Sequence, residues 1–499
     1  MEYRSQIVPP ALASAVTLFA RLNTAGVRYG IFKSSRNTLT ALAGDQDLDI
    51  LVAREDYSLF CAIAFECAGV RSTNHGSLVS PAREDWFIPD FERARYLHLD
   101  VHTSVRLGGK FNKRYPCYSY RDIRHWDMVR FGGCSIPVAS PEDEAGITLS
   151  RVAFRASGKV SGSWQILSGD WVREIDELLF AGAETGDGSA WCGCAGLKLR
   201  CRVRKHGNEI RVHREDLANV RRLVRARCGA PTYSPLIDPI RNSFRTWSYG
   251  ASRLVNRIFP GSVMDRRRPT GGGLIVAVVA PDGMGKTTQV ERMHKLFSWK
   301  FSCAALYLGT GDGQGWWIRR LLRTFYIRRR SQIKATLLTD PGTGKYPRTL
   351  ARKAGPLLLA LWGILVALER YRSVQAARRM ADRGFIVFCD RWPQRIQPGF
   401  MDGPTQPPGN ASPTWLRRWE LLLYDRMARV QPDVAVQLVA DYAISDARKP
   451  GELTREEYDK RISLMQELRN TASPTYVIDA ARSIDEVSRS LFGLIWSAL

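Results

Sequence analysis

Residues 274–289 read LIVAVVAPDGMGKTTQ, an apolar run followed by a glycine-containing turn and the start of a helical pattern. The run from Leu274 to Val279 has the length and β-branched composition of a buried strand. Pro281, Gly283 and Gly285 predict a tight turn directly after it. Strand, turn and helix in this order are typical of an α/β domain, and the lysine at the helix start requires a functional explanation.

The turn approximates the phosphate-loop pattern G-x-x-x-x-G-K-[ST], with Ala280 in place of the first glycine. In such a loop the backbone N–H groups and the helix N-terminus cradle phosphate oxygens. Lys286 is expected to reach the β- and γ-phosphates of ATP, and Thr287 to ligate Mg²⁺. A glycine turn that binds nothing is the alternative, but it does not need a Lys-Thr pair. The predicted nucleotide-binding residues are Asp282, Gly283, Met284, Gly285, Lys286, Thr287 and Thr288.

Two later segments supply the other groups that such a site needs. The apolar run FIVFCD ends at Asp390, an acid for the magnesium shell, and Arg391 follows it as a phosphate clamp. The segment SDARKPGELTREEYDKR places Arg448 and Lys449 beside a Pro-Gly turn, which predicts a basic lid. Each segment alone also fits a solvated turn, so the prediction depends on their order behind the phosphate loop.

The strand-like runs LIVAVVA, FIVFCD, VAVQLV and TYVIDA are separated by long helical stretches, as a parallel sheet with crossover helices requires. Together with PDGMGKTTQ, CDRW, ARKPGELTREE and YVIDAARSIDEV, residues 272–499 resemble the thymidylate kinase family of P-loop nucleoside monophosphate kinases. The resemblance implies that Asp282 contacts the acceptor sugar, that Arg448 stabilises the transferring phosphoryl group and that the protein is a homodimer. The segment YLGTGDGQG and a basic insertion over residues 314–355 depart from the family pattern, as in the divergent members met beside bacterial surface-polysaccharide genes.

The first 140 residues mix strand-length runs with helical segments, which indicates an α+β domain. In FKSSRNTLTALAGDQDLDILV, Asp47 and Asp49 alternate on one strand and share a face, where they could hold metal ions. Asp100 in YLHLDVH supplies a third acid, and the Ser34–Ser35 turn is a candidate triphosphate site. This pattern resembles the nucleotidyltransferase superfamily over about residues 20–105. A degenerate, non-catalytic domain is the alternative reading.

The sequence between these two halves predicts a helical extension followed by a linker. Residues 141–229 are expected to form a mainly helical extension, although LKLRCRVRKHGNEIRVH alternates like a hairpin turning at Gly207-Asn208. Cys192, Cys194 and Cys201 near that segment lack the usual paired zinc spacing. Residues 230–271, rich in Pro, Gly, Ser and Arg, predict a basic linker.

Composition limits the partners. The formal net charge of +24 favours polyanions such as nucleotides, nucleic acid or an anionic membrane surface as partners.

The stretch GPLLLALWGILVAL is shorter than the roughly 20 residues that cross a bilayer, so a buried helix is expected. WWIRRLLRTFYIRRR instead suggests peripheral membrane contact or a basic face. The first residues carry no secretory pattern, so a cytoplasmic protein, peripheral at the inner face of the membrane at most, is expected.

Three functions remain open on the sequence. The first is ATP- and Mg²⁺-dependent phosphoryl transfer by the C-terminal half to a small acceptor: a nucleoside monophosphate such as dTMP, or an intermediate of surface-polysaccharide synthesis. The second is nucleotidyl transfer by Asp47, Asp49 and Asp100 of the N-terminal half. The third is a non-catalytic, nucleotide-gated binding module docked on a membrane-bound assembly or nucleic acid.

Overall fold

The chain divides into two compact units, Met1–Thr270 and Gly271–Leu499. The computed structural model describes residues 10–73, 83–108, 115–155, 160–181, 183–194, 197–228, 267–309, 348–398, 400–405, 414–469 and 475–499, with isolated positions between 240 and 255. Most of the predicted linker and of the basic insertion therefore lies outside the described residues, as does the segment WWIRRLLRTFYIRRR.

The first unit contains a mixed eight-stranded sheet and a smaller antiparallel sheet. Its helices are α1 (Ala13–Thr24), α2 (Thr38–Leu42), α3 (Tyr57–Glu66), α4 (Pro141–Arg155), α5 (Asp170–Ile175) and α6 (Arg214–Arg227). Its first strands are β1 (Tyr29–Lys33), β2 (Asp47–Val52), β3 (Val70–Thr73), β4 (Arg83–Asp90), β5 (Arg95–His102), β6 (Val105–Leu107), β7 (Tyr115–Tyr118), β8 (Trp126–Phe131) and β9 (Cys134–Ala139). The remaining strands are β10 (Val160–Ser161), β11 (Trp164–Ile166), β12 (Thr185–Cys194), β13 (Leu197–His206), β14 (Glu209–His213) and β15 (Arg268–Pro269).

The large sheet of the first unit has the order β15-β3-β4-β5-β2-β1-β9-β8. The pairs β2–β5 and β1–β9 are parallel and the other neighbours are antiparallel. Buried residues of α1, such as Leu18 and Phe19, pack with Ile50 of β2 and Leu97 of β5 in one apolar core. The predicted strands YGIF, LDILV and YLHLDVH are confirmed as β1, β2 and β5.

Residues 141–229, predicted to be mainly helical, contain helices α4, α5 and α6 and also an antiparallel sheet that the prediction did not include. Its order is β10-β11-β14-β13-β12. The hairpin at Gly207-Asn208 is confirmed, because His206 pairs with Glu209. Strand β12 was missed since its sequence, TGDGSAWCGC, is rich in residues that are depleted in strands. It forms because Ala190 and Cys192 are buried in the core that α4 shares with this sheet.

The second unit is an α/β domain with a five-stranded parallel sheet of order β17-β18-β16-β19-β20. Its strands are β16 (Leu274–Val279), β17 (Cys303–Tyr307), β18 (Ile386–Asp390), β19 (Val434–Val439) and β20 (Thr475–Asp479). Its helices are α7 (Lys286–Ser298), α8 (Arg348–Asp382), α9 (Thr414–Ala428), α10 (Tyr442–Arg448), α11 (Arg455–Arg469) and α12 (Ile484–Ser497). The four strands predicted from apolar runs are confirmed as β16, β18, β19 and β20.

β16 is apolar along its length and β18 is apolar up to its last residue, Asp390, as is typical of a parallel sheet covered by helices on both faces. The predicted helix over 355–368 lies within α8, where Ala360, Trp362, Val366 and Ala367 are buried. Among the described residues, no helix combines the length and the apolar character needed to cross a membrane.

Candidate functional site

The glycine turn after β16 has the backbone that its sequence predicts. Gly283 and Gly285 have φ angles of 84° and 77°, in the left-handed region that favours glycine. A Cβ at Gly283 would lie 2.9 Å from the carbonyl oxygen of Ser445, so this position also needs glycine for space. Because the left-handed angles fall on these two residues, the alanine at position 280 requires no unusual backbone conformation.

Lys286, the first residue of α7, is buried against the turn. Its Nζ donates to the carbonyl oxygen of Pro281 at 2.7 Å and lies 3.4 Å from Oδ1 of Asp282. Burial lowers the pKa of Lys286, and the Asp282 carboxylate partly opposes that shift. The ammonium group is thus held inside the turn by one carbonyl and one carboxylate. Met284 is buried beside it, whereas Thr287 and Thr288 are exposed at the helix start.

Asp282 is surrounded by cations from three parts of the second unit. Its Oδ1 accepts from Nη2 of Arg391 at 2.8 Å, and its Oδ2 accepts from Nη1 of Arg461 at 2.6 Å. Burial disfavours the charged form of Asp282, but Lys286, Arg391 and Arg461 together hold its pKa well below the usual range. We call Asp282, Lys286, Arg391 and Arg461 the phosphate-loop cluster. It gathers three cations around one carboxylate, so it carries a net positive charge.

Thr287 and Asp390 meet because β16 and β18 are parallel neighbours whose carboxyl ends lie at one edge of the sheet. The Thr287 hydroxyl donates to Oδ2 of Asp390 at 2.6 Å. Oδ1 of Asp390 is buried and has no hydrogen-bond partner among the described residues. A hydroxyl beside a carboxylate with one unbonded oxygen is a donor set that suits Mg²⁺.

Arg391 is held in a strained backbone conformation. Its φ of 77° is unusual for a residue with a side chain, and such strain often lies at functional sites. Its Nη1 lies 3.5 Å from Asp402, whose other carboxylate oxygen accepts from Nη2 of Arg370 at 2.6 Å. Arg370 is buried and also donates to the carbonyl oxygen of Leu308 at the end of the neighbouring strand. These contacts fix the loop that follows β18.

Three residues of this region were missed from the sequence: Arg461, Arg370 and Asp402. Arg461 is the last residue of the predicted lid segment SDARKPGELTREEYDKR and lies on α11. Its signal was a position in that segment, which does not distinguish it from the other arginines there. Arg448, predicted for that role, instead donates to the carbonyl oxygen of Ala480 at 3.0 Å. The structure brings Lys286, Asp282 and Arg391 together, and Thr287 with Asp390, but it gives Arg448 a different contact.

The predicted carboxylates of the first unit lie on neighbouring strands. Parallel pairing of β2 with β5 places Asp49 beside Asp100 and Asp47 beside His98. Ligand atoms of Asp49, Asp100 and His102 lie within 4.8 Å of one another, close enough for one metal ion. Asp85 on β4 pairs with Asp100 on β5 in the sheet register. We call these four aspartates, with His98 and His102, the acidic strand cluster.

Cations of the first unit balance this cluster. Nε of Arg83 lies 2.6 Å from Asp100, Lys33 lies 3.6 Å from Asp49, and Nε of Arg267 lies 2.8 Å from Asp85. The His98 ring bridges Asp47 and Asp85, with 2.9 Å on each side. Burial disfavours the Asp100 carboxylate, but His102 and Arg83 outweigh it and lower the pKa of Asp100 to about 2.

The turn at Ser34–Ser35, predicted to receive a triphosphate, contacts an acid of its own unit. The backbone N–H groups of Ser34 and Ser35 both donate to the carboxylate of Glu144 on α4. Ser34 adopts a left-handed φ of 58°, which is uncommon for a residue with a side chain. Burial raises the pKa of Glu144 although both N–H groups favour its charged form. The turn has the geometry of an anion site, and a side-chain carboxylate occupies it.

Comparison with known proteins finds relatives over part of the chain. An uncharacterized ATP-binding protein of Escherichia coli (strain K12), YghR, is 29% identical over 224 residues, which are 43% of this chain and 83% of that protein. A second one from the same organism, YghS, is 25% identical over 236 residues, or 45% of this chain and 93% of that protein. No family model matches the chain.

Proposed function

We propose that the second unit binds ATP at the phosphate-loop cluster and transfers its γ-phosphoryl group to a small acceptor. The observation that carries the proposal is the arrangement of Lys286, Arg391 and Arg461 around Asp282 beside the turn of Gly283 and Gly285. The similarity to two proteins named for ATP binding supports the nucleotide part of the proposal. The acceptor is a nucleoside monophosphate such as dTMP, or an intermediate of surface-polysaccharide synthesis.

Phosphoryl transfer depends mainly on positioning and charge neutralisation, so the chain's task is electrostatic. Backbone N–H groups of the turn and the N-terminus of α7 face the phosphates, and Lys286 neutralises their charge. Arg391 lies 2.8 Å from Asp282. We propose that Asp282 holds these cations in place beside the phosphates. Catalytic Lys286 and Arg391 then bind the transferring group.

Thr287 and Asp390 would hold Mg²⁺, since their adjacent oxygens and the unbonded Asp390 Oδ1 suit this ion. An ion held by these two residues would supply charge neutralisation for the phosphates of ATP.

Separate assays of ADP and pyrophosphate release test the proposal. Purified full-length protein is supplied with ATP, Mg²⁺ and a panel of nucleoside monophosphate and sugar acceptors. We expect acceptor-dependent ADP release that Lys286→Ala reduces by a factor of about 100 or more. Lys295→Ala, at an exposed position on the same helix, is the matched control and should retain full turnover. Undiminished turnover in Lys286→Ala would overturn the proposal.

A second candidate function, nucleotidyl transfer by the first unit, is favoured by one observation, the closeness of Asp49, Asp100 and His102. Pyrophosphate release that disappears in Asp49→Asn and persists in Lys286→Ala would establish it. If ATP binds and neither ADP nor pyrophosphate is released, the non-catalytic binding module is the correct alternative.

A further inference from the structure

Helix α9 (Thr414–Ala428) exposes a row of large apolar side chains. Trp415, Trp419 and Leu422 are 61%, 57% and 50% exposed, and they stand at positions i, i+4 and i+7. This spacing places them on one face of the helix. Scattered exposed apolar residues are ordinary on protein surfaces, but two tryptophans and a leucine in one row are not.

The buried residues on the opposite face of α9 explain why the helix packs on its unit. The exposed row is not needed for that packing. Its buried side chains are Leu416, Glu420, Leu423, Tyr424 and Met427. Glu420 accepts from the backbone N–H and the hydroxyl of Thr405, and Tyr424 accepts from Arg370. The helix is therefore anchored through its inner face, and the outer row contributes little to the fold.

The same outer face carries positive charge. Arg418 and Arg426 are exposed, and at 100° per residue they fall within about 60° of the direction of Trp415. Arg429, also exposed, directly follows the last residue of the helix. Of the two acidic residues of this stretch, Glu420 is buried, and Asp425 is neutralised by Arg395 at 2.5 Å. The outer face of α9 is thus apolar and basic, in a chain whose net charge is +24.

We propose that this face of α9 docks on an anionic lipid surface. A bilayer interface offers the two complements together, because tryptophan rings enter the region between headgroups and acyl chains while arginines reach anionic headgroups. The helix lies along the membrane and does not enter its core. The surface, defined by Trp415, Arg418, Trp419, Leu422, Arg426 and Arg429, is separate from the phosphate-loop cluster, so the proposal does not depend on the proposed function.

Vesicle sedimentation tests the docking. Full-length protein is mixed with phosphatidylcholine vesicles with or without 30 mol% phosphatidylglycerol, at low and high salt. We expect salt-sensitive binding to the anionic vesicles that falls about tenfold or more in Trp415→Ala/Trp419→Ala and in Arg418→Glu/Arg426→Glu. Trp299→Ala, at a half-exposed tryptophan outside α9, should bind as the wild type does. Circular dichroism and urea unfolding confirm that each variant is folded.

The tryptophan variant separates a docking face from general attraction by a basic protein. If Trp415→Ala/Trp419→Ala binds anionic vesicles as tightly as Trp299→Ala does, net charge explains binding and the proposal is wrong. If the wild type binds no vesicles, and light scattering shows self-association that the tryptophan variant loses, the face joins two copies of the chain, which also overturns it. Absence of both vesicle binding and self-association overturns it as well, leaving an acidic protein partner to be sought.

Discussion

The two polar clusters of this protein contain the same kinds of side chain in opposite balance. In the phosphate-loop cluster, Lys286, Arg391 and Arg461 surround the single carboxylate of Asp282. In the acidic strand cluster, Asp49, Asp85 and Asp100 each have a cation of their own unit within 3.6 Å, and Asp47 contacts His98. Arg391 also lies 3.5 Å from Asp402, which Arg370 contacts as well, but cations still outnumber carboxylates in the first cluster, whereas the charges of the second are largely matched.

This difference bears on which unit is prepared for a polyanionic substrate. A surplus of cations around one carboxylate is stabilised when phosphate oxygens arrive, since each new contact joins opposite charges. In the first unit an incoming metal ion or nucleotide has to compete with Arg83, Lys33 and Glu144 for the groups it would use. We therefore place the proposed phosphoryl transfer in the second unit, and three predictions test the contrast.

The largest effect that we expect is the loss of stability caused by Asp100→Asn. The folded-state pKa of Asp100, about 2, is below its ordinary value of 3.8, so the charged form stabilises the fold. The variant also leaves the Arg83 guanidinium without its closest carboxylate. We expect a loss of about 2–4 kcal/mol in the free energy of unfolding at pH 7, measured in urea.

The pH dependence of that loss has a definite sign. Because the pKa of Asp100 is lower in the folded state, its carboxylate stabilises the fold above about pH 4. This stabilisation disappears as the pH falls toward 2, so the free energies of unfolding of the variant and the wild type should converge there. Asp127→Asn, at an exposed position on β8, is the control and should change little. An Asp100→Asn variant as stable as the wild type, or more stable, would mean that repulsion between the carboxylates dominates and that the cluster is not balanced.

The second-largest effect that we expect is the loss of turnover caused by Arg461→Gln. Its guanidinium lies 2.6 Å from Asp282, and we expect it to neutralise charge on the transferring group, the role that we propose for Arg391. Loss of one such cation should lower kcat about tenfold to a hundredfold with little change in stability. ADP release under saturating ATP and acceptor measures it.

Arg469→Gln is the matched control for that variant. Arg469 lies on the same helix, but its guanidinium donates to Oε1 of Gln437 at 3.1 Å instead of to Asp282. Equal losses in the two variants would assign the effect to the packing of α11 and not to the phosphate-loop cluster. Arg448→Gln adds a direct comparison with the residue that the family resemblance selects.

The sequence predicted elements with strong local signals. Apolar runs identified β16, β18, β19 and β20, and the glycine turn was placed correctly between β16 and α7. The sequence failed where tertiary contacts decide the outcome. Strand β12 has low strand propensity and forms because it is buried, whereas Arg461, Glu144 and His98 come from elements distant in sequence from the residues they contact. No spacing rule identifies a partner 179 residues away, as Arg461 is from Asp282.

The smallest effect that we expect is the change that Glu144→Gln causes in the pH dependence of stability. Because burial raises the pKa of Glu144, the folded state binds more protons than the unfolded state just above the ordinary glutamate value of 4.5. Wild-type stability should therefore fall relative to the glutamine variant as the pH rises above about 4.5, by less than the change expected for Asp100→Asn. Urea unfolding at several pH values measures the difference, and Glu142→Gln, exposed on the same helix, should show none.

A glutamine variant that instead loses stability relative to the wild type as the pH rises would show that the N–H groups of Ser34 and Ser35 prefer a charged partner. The turn would then be an anion site in its own right, and the contrast between the two units would be weaker.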